Sequence, residues 1–334
     1  MLRLLKAVLI GALVWSIYWA GAGWMMQSGV ARWFAAQEAR GWQADYADLS
    51  LGGFPARHVT RITAPALADP ATGAAWRAEA LEIDSRAIWP GHVTVGLGDA
   101  PQLWSYFDET WRVTTSGLTA DLRLTPGLAL TVEDLSLRSG AWSVVAEDGV
   151  LARAETLVLS KTQQSDGPAT YRMIARAEAF APGARLREIA RSSRTLPEAF
   201  ETLEIDATVT YDNPWDRSAL EIARPQPKRV DLRLAEAEWG ALRLAAAGDF
   251  VVDDQGIPEG TITIKAENWR EMLDMAEAAG VLPPEARRPA ERTLALFEGL
   301  SGNPNALDLQ LNLRGGFVAL GPIPLGPAPR LILR

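Results

Sequence analysis

Apolar and polar residues alternate position by position along much of this chain, and this pattern restricts its fold more than any other feature. A period of two puts successive side chains on opposite faces of a β-strand. One apolar and one polar face per strand is typical of antiparallel sheets. The clearest alternating stretches begin at Leu118, Leu203, Val230, Leu242, Ile262 and Leu307, and weaker ones cover residues 59–62, 81–83, 93–97, 111–115, 142–146 and 157–159.

The number of alternating stretches predicts a mainly β fold with one large curled antiparallel sheet. Roughly a dozen strands do not lie flat, so the sheet must curl, split or close. A trough, an open barrel and a sandwich all satisfy the pattern. The inward positions are mostly Leu, Ala, Val and Ile. The apolar faces therefore either meet in a filled core or line a trough that stays open.

A turn at Pro126-Gly127 separates two of the alternating stretches. Leu128, Leu130 and Val132 resume the alternation after the turn, and Leu135 continues it with the opposite parity. We therefore expect a second strand that starts at Leu128 and contains a β-bulge, because one extra residue reverses the parity.

Two helices are predicted near the C-terminus. Asn268 can cap a helix that Gly280 ends, and a second helix runs from about residue 285 to 300 with Pro289 inside it. Its inner stripe contains Leu294 and Phe297. The pair forms an αα-hairpin insertion that could close an open end of the sheet.

The N-terminal segment has the length and flanks of a transmembrane helix. Residues 7–31 carry no charge, and a crossing needs about 20 mainly apolar residues. Arg3 and Lys6 place the N-terminus in the cytoplasm, so the body is expected in the periplasm. The residues assigned to the membrane anchor are Ala7, Leu9, Leu13, Trp15, Tyr18, Trp19 and Trp24.

The predicted organisation is an anchor helix with its extension over residues 1–40 and a periplasmic β-rich domain over residues 41–334, with a weak seam near residues 182–225. A helical pattern continues out of the apolar segment to Arg40, and Gly41 resembles a C-cap. The alternative is a cleaved signal peptide, since Ala20-Gly-Ala22 is an acceptable cleavage site. Both interpretations export the body.

Charge and cysteine content exclude several classes of function. Beyond residue 31 the chain has 31 basic and 41 acidic residues, which argues against a nucleic-acid surface. The absence of cysteine excludes disulfides, thiolate nucleophiles and iron–sulfur clusters. The two histidines, His58 and His92, are too few for a histidine-rich metal site, and we expect both on the surface or on edge strands.

No catalytic motif is present. The chain lacks a G-x-S-x-G elbow, an H-E-x-x-H helix and a glycine-rich phosphate loop. Three pairs of adjacent acids, which begin at Glu133, Glu147 and Asp253, are explained more simply by turn chemistry than by catalysis. We therefore predict no catalytic, cofactor-binding or metal-binding residues, no cofactor, and no enzymatic activity.

Tryptophan is unusually frequent, with 13 residues against 5 tyrosines. Each tryptophan alone is explained by packing in the core or at its rim. Their number makes a groove for a lipid or another apolar ligand more credible, although the residues that line it are not predicted.

The chain resembles an uncharacterised family of exported, membrane-anchored proteins of Gram-negative bacteria, domain-of-unknown-function family 2125. The resemblance rests on Trp15-Ser-Ile-Tyr-Trp19, Gly41-Trp-Gln-Ala-Asp-Tyr46, Gly53-Phe-Pro55, Trp239-Gly240, Gly248-Asp-Phe250, Asp254-Gln-Gly256 with Gly260, Asn268-Trp269, Ala279-Gly280 and Gly321-Pro-Ile-Pro-Leu-Gly-Pro-Ala-Pro329. It implies localisation and architecture but no chemistry. A weaker resemblance of pattern, over Leu51–Leu97, links the chain to AsmA-like envelope proteins and implies a periplasmic β-trough that shields lipid tails.

These observations predict a membrane-anchored periplasmic protein that binds or shields a lipid or apolar ligand in cell-envelope maintenance. The expected partners are the lipid of the inner membrane, a lipid ligand and an envelope protein, with no nucleic acid. The alternative is a structural scaffold of an envelope complex with a filled core. A hydrolase that acts on envelope polymers through paired carboxylates is a remote third.

Overall fold

The computed structural model describes residues 1–89, 91–165, 167, 169–184, 196–280, 282–298 and 305–333. The fold is mainly β, with a long apolar N-terminal helix and a C-terminal helix pair, as the sequence predicts. Its strands pair in antiparallel fashion. Contacts divide the chain into unit 1, residues 1–124 with 137–148, and unit 2, residues 125–136 with 149–334.

Four helices are defined among the described residues. They are α1 (Leu2–Ala39), α2 (Ser218–Glu221), α3 (Trp269–Ala278) and α4 (Pro284–Glu298). The predicted anchor and its extension thus form one continuous helix. It ends at Ala39, and Gly41 after it has a positive φ of 92°. The division at residue 40 and the seam near 182–225, of which residues 185–195 lie outside the described chain, stay predictions.

Unit 1 contains two antiparallel sheets and helix α1. The six-stranded sheet has the order β1 (Gln43–Asp45), β4 (Ala66–Asp69), β5 (Ala74–Arg77), β8 (Gln102–Tyr106), β9 (Glu109–Thr115) and β12 (Trp142–Ala146). The five-stranded sheet has the order β2 (Asp48–Gly52), β3 (Arg57–Thr63), β6 (Ala80–Arg86), β7 (His92–Leu97) and β10 (Thr119–Leu124).

The core of unit 1 joins both sheets to the C-terminal half of α1. Phe34 of the helix packs with Ala44 of β1 and with Ile62 of β3, and all three are buried. Residues at helical spacing along α1, Gly23, Phe34 and Gln37, are the buried ones. The helix is therefore fixed to unit 1 by its own apolar stripe.

Unit 2 is built on a long open sheet. Its strands follow one another in chain order from β14 (Thr156–Gln163) through β15 (Thr170–Pro182), β16 (Phe200–Tyr211), β17 (Pro227–Trp239), β18 (Leu242–Val252), β19 (Pro258–Glu267), β20 (Ala306–Arg314) and β21 (Phe317–Leu320) to β22 (Ile323–Pro327). Within the described residues β22 is an edge strand that pairs with β21, and the sheet is open.

Two further strands complete the β-structure. Strand β11 (Val132–Ser139) pairs with β14, and residues 132–136 of it belong to unit 2. Strand β13 (Gly149–Ala154) pairs with the end of β15.

The prediction of a strand that starts at Leu128 is wrong. The chain is irregular from residue 125 to 131, Gly127 has a φ of 135°, and Leu130 has a φ of 52°. A positive φ breaks an extended ladder. Leu128 is consequently exposed, and the strand begins only at Val132.

Candidate functional site

The register of unit 2 aligns aliphatic side chains into continuous rows across seven strands. Residues directly opposite each other in an antiparallel pair project to the same face of the sheet. The middle row, from β14 to β20, consists of Leu159, Ala175, Ile205, Ala235, Ala246, Ile264 and Leu309. We call the side of the sheet that carries this row the aliphatic face.

Two neighbouring rows extend the aliphatic face along the strands. One consists of Leu157, Ala177, Leu203, Ala237, Leu244, Ala266 and Leu307, and the other of Lys161, Met173, Ala207, Leu232, Gly248, Ile262 and Leu311. Lys161 is the only charged residue among these 21 positions. Such a set would normally be covered by a second layer of structure.

Within the part of the chain that the structure describes, the middle of the aliphatic face is exposed to solvent. Ile205 is 48% exposed, Leu244 is 42% exposed and Leu159 is 38% exposed. Ala175, Ala235 and Ala246 are only partly buried. Because these alanines have short side chains, they form a depression in the surface between the larger side chains of the same rows. An exposed, contiguous apolar surface of this kind marks a binding site more often than a chance feature.

The opposite face of the same sheet carries a ladder of ion pairs. Asp206 lies between Arg172 at 2.7 Å and Arg233 at 2.9 Å. The hydrogen bond from Arg172, followed by the second arginine, lowers the pKa of the Asp206 carboxyl despite its partial burial. Further cross-strand pairs are Arg176–Glu204, Arg229–Asp249 and Arg243–Glu236. The charged side chains of this face are well solvated in water. Exposure of the aliphatic face to water is unfavourable, so this is the face that a ligand or partner would cover.

Both ends of the aliphatic face are closed by packed side chains. At one end Tyr171, Val209 and Tyr211 form a buried cluster, beside a second cluster around Phe250 and Leu313. At the other end the helix pair packs Trp269, Met272, Leu273, Leu294 and Phe297 against Ala266, Leu307 and Leu309. The predicted helix pair, with Leu294 and Phe297 on its inner side, is confirmed.

Asn268 does not cap α3 in the predicted way. Its φ is 59°, it makes no side-chain cap, and its amide donates a hydrogen bond to the carbonyl of Ala241 instead. The predicted stop at Gly280 is confirmed by its φ of 70°.

Lys161 enters an aromatic cage at the β14 margin of the aliphatic face. Its Nζ lies 3.4 Å from the ring centroid of Trp215, 4.5 Å from that of Tyr171 and 5.0 Å from that of Tyr211. The residue is only 7% exposed. Burial lowers the pKa of the Lys161 amine to about 6, because an ammonium loses its hydration there.

Unit 1 contains a separate cleft on its six-stranded sheet. The cleft has a volume of about 900 Å³ and is lined by Glu38, Trp42, Gln43, Ala44, Asp45, Ala66, Leu67, Ala68, Ala75, Trp76, Arg77, Leu103, Ser105 and Thr110. Small alanines and scattered polar groups form this lining. It lacks the continuous apolar rows of unit 2, and it brings together no recognisable catalytic constellation.

The predicted anchor residues fall into two groups. Ala7, Leu9, Leu13 and Trp24 are exposed along α1. Trp15, Tyr18 and Trp19 instead donate hydrogen bonds to the carbonyls of Pro55, Ala87 and Arg57, at 3.0, 2.7 and 2.7 Å. The helix α1 is the one helix in the described chain that is long and apolar enough to cross a membrane, which is consistent with a single-pass anchor.

His58 is not a surface histidine. It is 1% exposed in the interior strand β3, its ring stacks on Trp19 at 5.1 Å, and its Nε2 lies 3.0 Å from the carbonyl oxygen of Trp19. The sequence could not show this, because α1 supplies the partner. His92 lies in β7 and is half-buried.

The pairs of adjacent acids have structural partners. Asp253 accepts hydrogen bonds from the backbone N–H groups of Gln255 and Ile257, both at 2.8 Å, which is the expected turn chemistry. Asp134 accepts a hydrogen bond from Thr162. Glu147 lies in the turn that follows β12. No cluster of three potential metal ligands occurs among the described residues.

Lys161 was not predicted as a functional residue, although the sequence carries a signal for it. Lys161 has the same parity as Leu157 and Leu159, so a single strand here would place a lysine in an apolar row. The aromatic partners lie 10 to 54 positions further along the chain, and only the folded sheet brings them to the amine.

Comparison with known proteins identifies one family. The sequence profile of the family described as "Uncharacterized protein conserved in bacteria (DUF2125)" matches residues 19–329. No curated protein matches the chain. The weaker resemblance to AsmA-like proteins is not supported by these comparisons.

Proposed function

Because this chain belongs to the DUF2125 family, whose description names no activity, we propose a function from the geometry: the protein is a membrane-anchored, non-catalytic module of the cell envelope that binds lipid acyl chains on its aliphatic face. The observation that carries the proposal is the exposure of Leu159, Ile205 and Leu244 within continuous apolar rows. Nothing in the proposal requires a bond to be made or broken.

The size of the aliphatic face fits an acyl chain. Seven strands at the usual spacing make each row about 29 Å long. One leaflet of a bilayer has a hydrocarbon thickness of about 15 Å, so one acyl chain can lie along a row. Each methylene that leaves water for an apolar surface contributes about 0.8 kcal/mol. Several methylenes on this face would therefore hold a lipid firmly without specific polar contacts.

We place the membrane at the N-terminal part of α1, with the N-terminus in the cytoplasm and the body in the periplasm. Arg3 and Lys6 support this orientation. The helix is about 57 Å long, much longer than the hydrocarbon core of about 30 Å. Residues 2–14 make only about 20 Å of helix, so the crossing also includes Trp15, Tyr18 and Trp19, whose side chains donate hydrogen bonds to unit 1. Phe54 and Trp89 are exposed on unit 1 near this point, and they suit the membrane interface.

The absence of cysteine provides a direct test of this orientation. In spheroplasts, a membrane-impermeant maleimide is expected to label Ala241→Cys in unit 2 without lysis, because Ala241 is exposed. Leu2→Cys is expected to react only after lysis. Labelling of Leu2→Cys alone in intact spheroplasts would reverse the orientation.

Lipid binding is tested by placing a photoreactive amino acid in the full chain in living cells. At Ile205, on the aliphatic face, irradiation is expected to give a protein adduct whose mass increases by that of a lipid. The matched control is Arg229, which is exposed on the opposite face of the same sheet. Adducts at both positions, or at neither, contradict the proposal. A protein adduct at Ile205 without lipid would support a scaffold role instead.

A further inference from the structure

We propose that Lys161 is the headgroup site of the aliphatic face, and that the ligand is therefore an anionic amphiphile, an acyl chain that ends in a carboxylate or phosphate. This inference rests on the proposed function and narrows its ligand class. The ligand is a lipid, because Lys161 itself lies in one of the apolar rows.

The position of Lys161 supplies the first argument. It is two residues from Leu159 on the same strand, so both side chains project to the aliphatic face. Leu159 begins the middle row, which continues through Ala175 to Ile205. A ligand that places its anion at Lys161 can therefore lay its chain across the exposed part of the face.

The amine of Lys161 is unpaired among the described residues. Within the described residues, Lys161 forms neither an ion pair nor a hydrogen bond, and its Nζ lies over three aromatic rings. Buried lysines are ordinarily paired. Lys161 is 7% exposed, so its neighbours do not enclose it completely.

The cage is fixed before any ligand arrives. The hydroxyl of Tyr171 accepts a hydrogen bond from the backbone N–H of Trp215 at 3.1 Å. The hydroxyl of Tyr211 donates a hydrogen bond to Sδ of Met173 at 3.2 Å. These bonds fix the positions of the two tyrosine rings. The amine of Lys161 lies over these rings, so its position is fixed as well. A preformed site of this kind loses little entropy when a ligand binds.

Protonation couples the amine to the ligand. Burial lowers the pKa of Lys161 to about 6, so the empty site is mostly neutral at pH 7. An anion at Nζ favours the ammonium form, as the ring faces also do, so binding takes up a proton. The other titratable groups at the cage are Tyr171 and Tyr211, whose pKa values burial raises, and Asp216 beside Tyr171. Affinity for an anion should therefore fall as the pH rises above 6.

The test compares a photoactivatable octadecanoic acid with the matching octadecanol, both on the full chain in nanodiscs. The acid is expected to reach half-maximal labelling at about tenfold lower concentration than the alcohol at pH 6, and this preference is expected to shrink by pH 9. In Lys161→Met the two probes should label at equal concentrations at both pH values. Lys265→Met, on the opposite face, is the matched control and should retain the preference.

The outcomes separate the two proposals. Equal labelling of the wild-type chain by acid and alcohol overturns the headgroup site and leaves the proposed function intact. Labelling by neither probe overturns the proposed function itself. If inorganic phosphate competes as well as the acid does, the site binds free anions and the lipid assignment is wrong. A cooperative urea-unfolding transition of Lys161→Met shows that the variant is folded.

Discussion

Ala246→Glu is expected to abolish labelling by the octadecanol probe, with a loss of apparent affinity of at least about thirtyfold, or about 2 kcal/mol. Ala246 lies in the middle row of the aliphatic face, opposite Ala235 and Ile264. An acyl chain that crosses this row would have to strip water from the new carboxylate, and no cation in the middle row compensates it. The measurement is half-maximal photolabelling of the full chain in nanodiscs.

The adjacent residue provides the matched control. Ala247 is exposed, pairs with Thr263 and projects to the charged face of the same strand. Ala247→Glu adds the same side chain one position away, and it should leave labelling within about twofold. Equal losses in both variants would show that the face is not the binding surface. If Ala246→Glu fails to fold, Ile205→Gln provides a milder change at an exposed position of the same row.

The sequence predicts the strands of unit 2 well and the aliphatic face only in outline. Alternation identified the apolar side of β16 and β18, because each has one face exposed to solvent. In β17 the predicted alternation is correct only as far as Leu232, because Leu234 lies opposite Asp206 on the charged face. It could not identify which residues become neighbours. Ala235 lies opposite Ala246 only because the register shifts between Leu232 and Ala235. Such a bulge leaves little trace in the sequence, yet it decides where the small side chains collect.

Unit 1 was harder to predict for a physical reason. Its strands are mostly three to seven residues long, and β6 and β7 are half-buried along almost their whole length. A strand with partial burial on both sides does not need strict alternation. Leu128 and Leu130 show the opposite failure, since they alternate correctly but lie in an irregular segment. Periodicity indicates compatibility with a strand and does not require one.

The anchor shows a further limit of sequence reasoning. Composition and flanks predicted an apolar helix, and the structure contains it. Trp15 and Trp19 are typical of rings at a membrane interface, yet their indole N–H groups bind backbone carbonyls of unit 1. The same amphipathic ring satisfies both environments. Only contacts with residues distant in the chain distinguish them, and these contacts also account for the burial of His58.

Lys161→Met is expected to raise the stability of the full chain, without added fatty acid, at pH 7 by up to about 5 kcal/mol and to remove most of its pH dependence between pH 6 and 9. The folded-state pKa of about 6 lies below the ordinary value of 10.5. Between these values the unfolded chain binds a proton that the folded chain does not, so wild-type stability rises with pH, by at most about 1.4 kcal/mol per pH unit. Methionine fills a similar volume without a charge.

Urea unfolding of the full chain in nanodiscs, followed by tryptophan fluorescence at four pH values, measures this difference. The difference in free energy of unfolding between Lys161→Met and the wild type should be largest at pH 6 and should narrow steadily toward pH 9. It narrows because folding deprotonates the lysine, and the cost of this deprotonation falls as the pH approaches 10.5. Lys265→Met removes an exposed lysine that pairs with Glu267, and it should follow the wild type within about 0.5 kcal/mol. Parallel wild-type and Lys161→Met curves would mean that Lys161 does not titrate in this window. A gain in stability combined with a loss of acid preference would show that the chain retains a destabilising amine because its ligand needs it.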